Sequence, residues 1–174
     1  FVLLPVQALA LASTTFVGQN WGAANLKRAR QGARQALVMS LIVTAMLTAV
    51  LMLMARQLLQ IFGDDPGMLE FGTRFVMIAS PFYITLCFNQ IYAGALRAIG
   101  NAKAPMVIML GSFVVFRQIY LMLNKVLLGN SIVGVALGYP LGWLVCSALL
   151  TIAYRRSRLF KDQEKNATVE AKTC

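Results

Sequence analysis

Histidine is absent from all 174 residues, which removes the imidazole both as a general base and as a metal ligand. Cysteine is scarce and scattered. Cys87, Cys146 and Cys174 form no CxxC pair and two of them sit in apolar runs, so neither a disulfide framework nor a metal site is expected. Acidic residues number six against sixteen Lys plus Arg, and all six lie between Asp64 and Glu70 or beyond Lys161. An intramembrane hydrolase would lack its acid and its base, so no enzyme is expected. Charge of either sign is low: 13% of residues are charged and 59% hydrophobic, whereas soluble domains average about a quarter and about half.

What the sequence has is long charge-free runs. A helix crossing a ~30 Å hydrocarbon core needs roughly 20 mostly apolar residues. Five stretches meet this: Phe1 to Leu26, Arg34 to Arg56, Arg74 to Arg97, Lys103 to Lys125 interrupted by Arg117, and Lys125 to Arg155 after a turn at Gly129 to Ser131. A run such as MSLIVTAMLTAVLMLMA is apolar on all sides, as a lipid-embedded helix is, and lacks the alternation of a membrane strand. The expected fold is all-α, a polytopic bundle of about five transmembrane helices over residues 1–156, with a polar tail at 157–174 that frays into disorder. Asn166 in that tail fits an acceptor pattern for glycosylation but would stay unmodified in the cytoplasm. The chain begins inside an apolar stretch and reads as a fragment.

The net charge of +10 is then a topology signal. Twelve basic residues fall in the loops after the first and third runs and in the tail, against three (Arg56, Arg74, Lys125) on the other side. Positive loops stay cytoplasmic, so the C-terminus is expected there, the location is a cell membrane, and nucleic acid is not a partner. The connector Asn25 to Leu37 puts Leu26, Ala29, Ala33 and Ala36 on one helical face and Lys27, Arg30, Gln31 and Arg34 on the other. It is expected to lie on the membrane surface, in contact with lipid.

Polar residues inside the runs are the site candidates, because hydrocarbon penalises them unless a partner or a wet cavity meets them. Arg117 leads, with Phe113, Tyr120, Leu121 and Asn124 on its face; it points into the bundle or snorkels outward. Thr85, Asn89 and Tyr92 share one face of the third run, opposite Tyr83 and Gln90, and Gln7 aligns with Thr14 in the first. These groups serve either a substrate cavity or hydrogen bonds between helices. Gly134, Gly138 and Gly142 form a four-residue small-residue repeat suited to close helix approach. Pro81 and Pro140 are expected to kink their helices.

Two segments resemble motifs of the multidrug and toxic compound extrusion (MATE) transporters. In ASTTFVGQNWGAANLKRARQGARQAL the matching residues are Val17, Gly18, Gln19, Gly22, Ala23, Arg28 and Ala29; in GALRAIGNAKAPM they are Gly94, Leu96, Arg97, Gly100, Asn101, Lys103, Pro105 and Met106. The resemblance implies helices eight to twelve of a twelve-helix antiporter, packed against an absent N-terminal lobe, exporting cationic or amphipathic compounds in exchange for Na⁺ or H⁺. No cofactor is implied beyond that ion. Relatives bind it on carboxylates of helices seven and ten or on an Asp of helix one; the third run, matching helix ten, has no acid, so the ligands are expected outside this sequence. Ala98 stands where the family usually has Gly, and Gln118 with Ile119 replaces an apolar-Pro pair, which implies a straighter fourth helix. The rivals are a lipid-linked saccharide flippase of the same superfamily and a non-transporting membrane interaction subunit.

Overall fold

The computed structural model describes residues 3–127, 132–157 and 159. Helix α1 (Leu3–Gly22) is followed by α2 (Leu26–Leu53), a short α3 (Ala55–Gln60), α4 (Pro66–Ala79) and α5 (Tyr83–Ala98). Then come α6 (Lys103–Leu110), α7 (Arg117–Leu127) and α8 (Ile132–Arg155). No strand occurs among the described residues. A 3₁₀ turn at Ser80–Phe82 joins α4 to α5, and a π-helical turn at Gly111–Phe116 joins α6 to α7, so two long rods result. The turn at Gly129 to Ser131 and most of the tail, including Asn166, lie outside the described residues.

Among the described residues four helical stretches are long and apolar enough to cross a membrane: Leu26–Leu53, Pro66–Ala98, Lys103–Val126 and Leu137–Arg155. Sequence reading expects five. The fifth, α1, has 20 residues, or about 30 Å of helix, but Gln7, Ser13, Thr14, Thr15, Gln19 and Asn20 dilute its apolar character.

Local chemistry sets the boundaries. The Asn25 side chain accepts from the Arg28 N–H at 3.2 Å and caps α2; Asp65 accepts from the Met68 N–H at 2.8 Å and caps α4, with Pro66 in the first turn where its missing N–H is harmless. Pro81 produces the 3₁₀ turn rather than a simple kink, while Pro140 sits inside a continuous α8. The fourth span, which has Gln118 and Ile119 in place of an apolar-Pro pair, is continuous from Lys103 to Val126 and contains the π turn.

The amphipathic connector is continuous with a span. Residues 26–37 do not form a separate surface helix; they are the first turns of the 28-residue α2. Their alanine face is turned inward: Ala29 and Ala33 are buried with Val17 of α1, Ala95 of α5, Tyr154 of α8 and Leu159. Protein covers the apolar face of the pattern, while Lys27, Gln31 and Arg34 on the other face stay exposed. Leu159 also carries the packing past residue 156.

Small side chains hold the centre. Lipid tails are as apolar as leucine, so helices in a membrane associate through close packing and hydrogen bonds rather than through water exclusion. On α2 the buried face below the alanines is Ser40, Thr44 and Thr48. Thr44 Oγ1 lies 3.1 Å from Cys87 Sγ of α5, and that thiol donates to the Ser40 carbonyl at 3.5 Å. Between α1 and α5, Thr14 packs directly against Gly94.

Candidate functional site

The glycine repeat of α8 is where α7 and the π turn approach. Gly134 faces Asn124; a methyl on Gly138 would sit 3.1 Å from the Tyr120 ring, and one on Gly142 would sit 3.4 Å from the Ser112 carbonyl. This packing aims the polar stripe of α7 at α8. The Tyr120 hydroxyl donates to the Gly134 carbonyl at 3.0 Å. Asn124 is buried, and neither its Oδ1 nor its Nδ2 has a partner among the described residues. Arg117, whose direction the sequence leaves open, points across to α8: its guanidinium lies 3.8 Å from the Tyr139 ring centroid. Such a cation over an aromatic face is worth about 2 kcal/mol when desolvated.

Tyr139 belongs to a run of rings. Its centroid is 6.0 Å from Phe75 of α4 and 6.4 Å from Trp143, which in turn is 5.7 Å from Tyr83 of α5. Asn89 reaches the same place from α5, donating through Nδ2 to the Trp143 carbonyl at 3.4 Å. Its Oδ1 is buried with no partner among the described residues. Half-buried rings, one fixed cation and an unsatisfied amide acceptor therefore converge on the Tyr139 to Trp143 turn of α8. Flat aromatic faces bind amphipathic molecules, and orphan polar atoms reward a ligand that satisfies them.

The other candidates disperse. Thr85 Oγ1 donates to its own chain at the Phe82 carbonyl, 2.7 Å away. Tyr92 points to the opposite end, stacked on Tyr154 with centroids 4.5 Å apart and planes 14° from parallel. Thr14 Oγ1 donates to the Ala10 carbonyl at 2.7 Å, whereas Gln7 on the same helix is exposed. The face shared by Thr85, Asn89 and Tyr92 thus contacts three different partners. Sequence reading missed Phe75, Tyr139 and Trp143; the spacing of Tyr139 and Trp143, one helical turn apart around Pro140, was the available signal.

The two motif segments meet at one end of the bundle. A methyl on Gly18 would lie 3.8 Å from both the Cβ and the carbonyl of Ala98. Each segment closes its helix in the same way. Ala24 and Gly100 have φ of 56° and 82°, with Asn25 N–H donating to the Asn20 carbonyl at 2.8 Å and Asn101 N–H to the Leu96 carbonyl at 3.0 Å. Both are left-handed C-terminal caps of the Schellman type. Asn101 Oδ1 then accepts from the Ala104 N–H at 3.3 Å, and Pro105 is fully buried as α6 begins. Arg97 lies in the last turn of α5, where a cation complements the helix dipole. Gln19 is exposed, and open space surrounds Gly22. At the far end Arg74 pairs with Glu70 at 2.8 Å in solvent.

Comparisons with known proteins fit this geometry. The MatE family model matches residues 1–123. The probable multidrug resistance protein YpnP of Bacillus subtilis is 30% identical over 160 residues, covering 92% of this chain and 36% of that protein. A Shewanella oneidensis protein described as an FAD transporter is 31% identical over 152 residues, 87% of this chain and 32% of its own length. A solved structure of the inward-facing conformation of a multidrug resistance MATE family transporter of the MOP superfamily has a TM-score of 0.82 at 20% identity, over 90% of this chain and 36% of that one. The chain spans about a third of the length of these relatives. With its two glycine motifs joined at one end of a bundle of apolar helical rods, this chain belongs to the MatE family of multi-pass membrane proteins.

Proposed function

We propose that this chain is the C-terminal lobe of a secondary active efflux antiporter, which exports cationic or amphipathic compounds in exchange for Na⁺ or H⁺. The observation that carries the reading is the aromatic array at Tyr139 and Trp143, set in the spans beside Arg117 and the unsatisfied Asn89 acceptor. Named relatives described as multidrug resistance proteins support it. The lobe packs against an N-terminal lobe that supplies the carboxylate for the coupling ion, since the acid within the apolar spans here, Glu70 at the end of Pro66–Ala98, is exposed and paired with Arg74. Its basic end and C-terminus face the cytoplasm of a cell membrane, following the charge asymmetry. Rocking of the two lobes about their shared cavity then alternates access.

The fixed cation favours a second reading of the substrate. Arg117 over Tyr139 suits a planar compound bearing a phosphate better than one bearing only positive charge. The relative described as an FAD transporter agrees with this.

The test is efflux from cells expressing the full-length gene, with ethidium and a flavin nucleotide as alternative substrates and the Na⁺ and proton gradients collapsed separately. Export of either compound that stops when one gradient is removed is the expected result. Export that persists with both gradients gone overturns antiport, and retention of both compounds overturns the efflux reading for these substrates.

A further inference from the structure

We propose that the basic end of the bundle binds the phosphate of an anionic phospholipid headgroup. A cavity of about 760 Å³ opens there. Lys27, Arg30 and Arg34 line it from α2 and Arg155 from α8, and the stacked Tyr92 and Tyr154 rings form a wall. Among the described residues no Asp or Glu lines it. Four cations from two helices, converging on one cavity without a carboxylate among its lining residues, form an environment for an anion. The site also lies at the start of α2, whose dipole adds positive potential.

The neighbouring surface decides between a lipid and a soluble phosphate compound. Leu37 and Val38 continue the cavity wall below the arginines. Beyond them the outer side of α2 is exposed and apolar through Met39, Ile42 and Met46. From Arg34 to Met46 this makes about 18 Å of helix, more than half of the ~30 Å hydrocarbon core. Cations at the bilayer interface above an apolar track inside it match a headgroup with its acyl chains, whereas a soluble phosphate compound would leave the track unused. A zwitterionic headgroup would bring its ammonium toward four cations with no acid among the lining residues to meet it.

The experiment is native mass spectrometry of the full-length protein in neutral detergent, titrated with dioleoyl phosphatidylglycerol or dioleoyl phosphatidylcholine. Phosphatidylglycerol is expected to be retained at concentrations at least about tenfold lower. Near an anionic leaflet each basic residue contributes on the order of a sixfold change in affinity, so the Arg34→Gln/Arg155→Gln pair should weaken retention about thirtyfold. The Arg34→Lys/Arg155→Lys pair keeps the charge and should lose only a few-fold. Equal retention of the two lipids overturns the proposal without any variant. So does undiminished binding by the Gln pair, an equal loss in the Lys pair, or displacement of the lipid by equimolar glycerol 3-phosphate.

Discussion

Adding a methyl at Gly94 tests how α1 and α5 are held together. A Cβ there would run into Thr14 Oγ1, which is fixed by its 2.7 Å bond to the Ala10 carbonyl; that carbonyl itself would lie 3.4 Å from the new methyl. Gly94→Ala has two opposing effects. Alanine favours a helix over glycine by about 1 kcal/mol, while overpacking a tight contact costs about 1–3 kcal/mol. The single substitution should therefore be neutral to destabilising by about 2 kcal/mol. Thr14→Ala removes the obstructing oxygen together with its bond to the carbonyl of its own helix, whose loss costs the helix little. In that background the same Gly94→Ala change keeps the propensity gain and loses the clash, so its sign should reverse to stabilising by up to about 1 kcal/mol. The assay is a double-mutant cycle on the full-length protein, measured by denaturation in mixed micelles and followed by far-UV circular dichroism. Identical losses from Gly94→Ala in both backgrounds would refute the contact, because residues that share a partner couple by about 0.5–3 kcal/mol and independent ones do not.

The matched left-handed caps give an opposed pair. Ala24→Gly should stabilise the protein by about 0.5–1 kcal/mol and Gly100→Ala should destabilise it by about 1 kcal/mol, both read in the same denaturation assay; equal signs would contradict the backbone assignment. At the aromatic array, Arg117→Gln and Tyr139→Leu should each lower efflux of whichever of ethidium or the flavin nucleotide is exported by about fivefold, from the ~1 kcal/mol of a half-buried cation–π contact. Combining them should add little, and full additivity would show that the two groups act separately.

The rods were legible because charge spacing and hydrocarbon thickness constrain each other: a stretch such as Arg34 to Arg56 has few alternatives to spanning. The direction in which an apolar helix faces was not legible. Ser40, Thr44 and Thr48 lie in a run that is apolar overall, so no periodicity marks the side that meets Cys87. Asn25 to Leu37 shows clear amphipathicity, yet the pattern cannot distinguish lipid headgroups from the flanks of α1, α5 and α8. Gln7 and Thr14 share a face by spacing, but only Thr14 has Gly94 beside it. The polar face of α7 was readable since Arg117, Tyr120 and Asn124 are conspicuous in apolar surroundings. Their aromatic counterpart on α8 was not, because Tyr139 and Trp143 read equally well as interfacial anchors.

The π turn at Gly111–Phe116 bears on the array from a distance. A wide turn accommodates one more residue than a regular helix of the same height, and each residue of an α-helix rotates the chain by about 100°. The azimuth of Arg117 relative to α6 is therefore set by this local excess. Winding 111–116 as a regular α-helix with no residue removed would swing the guanidinium about a quarter turn from Tyr139, whereas deleting a single residue there would absorb the excess and leave Arg117 facing the ring. The register of one loosely wound segment thus determines whether the membrane-embedded charge of this lobe meets its aromatic partner.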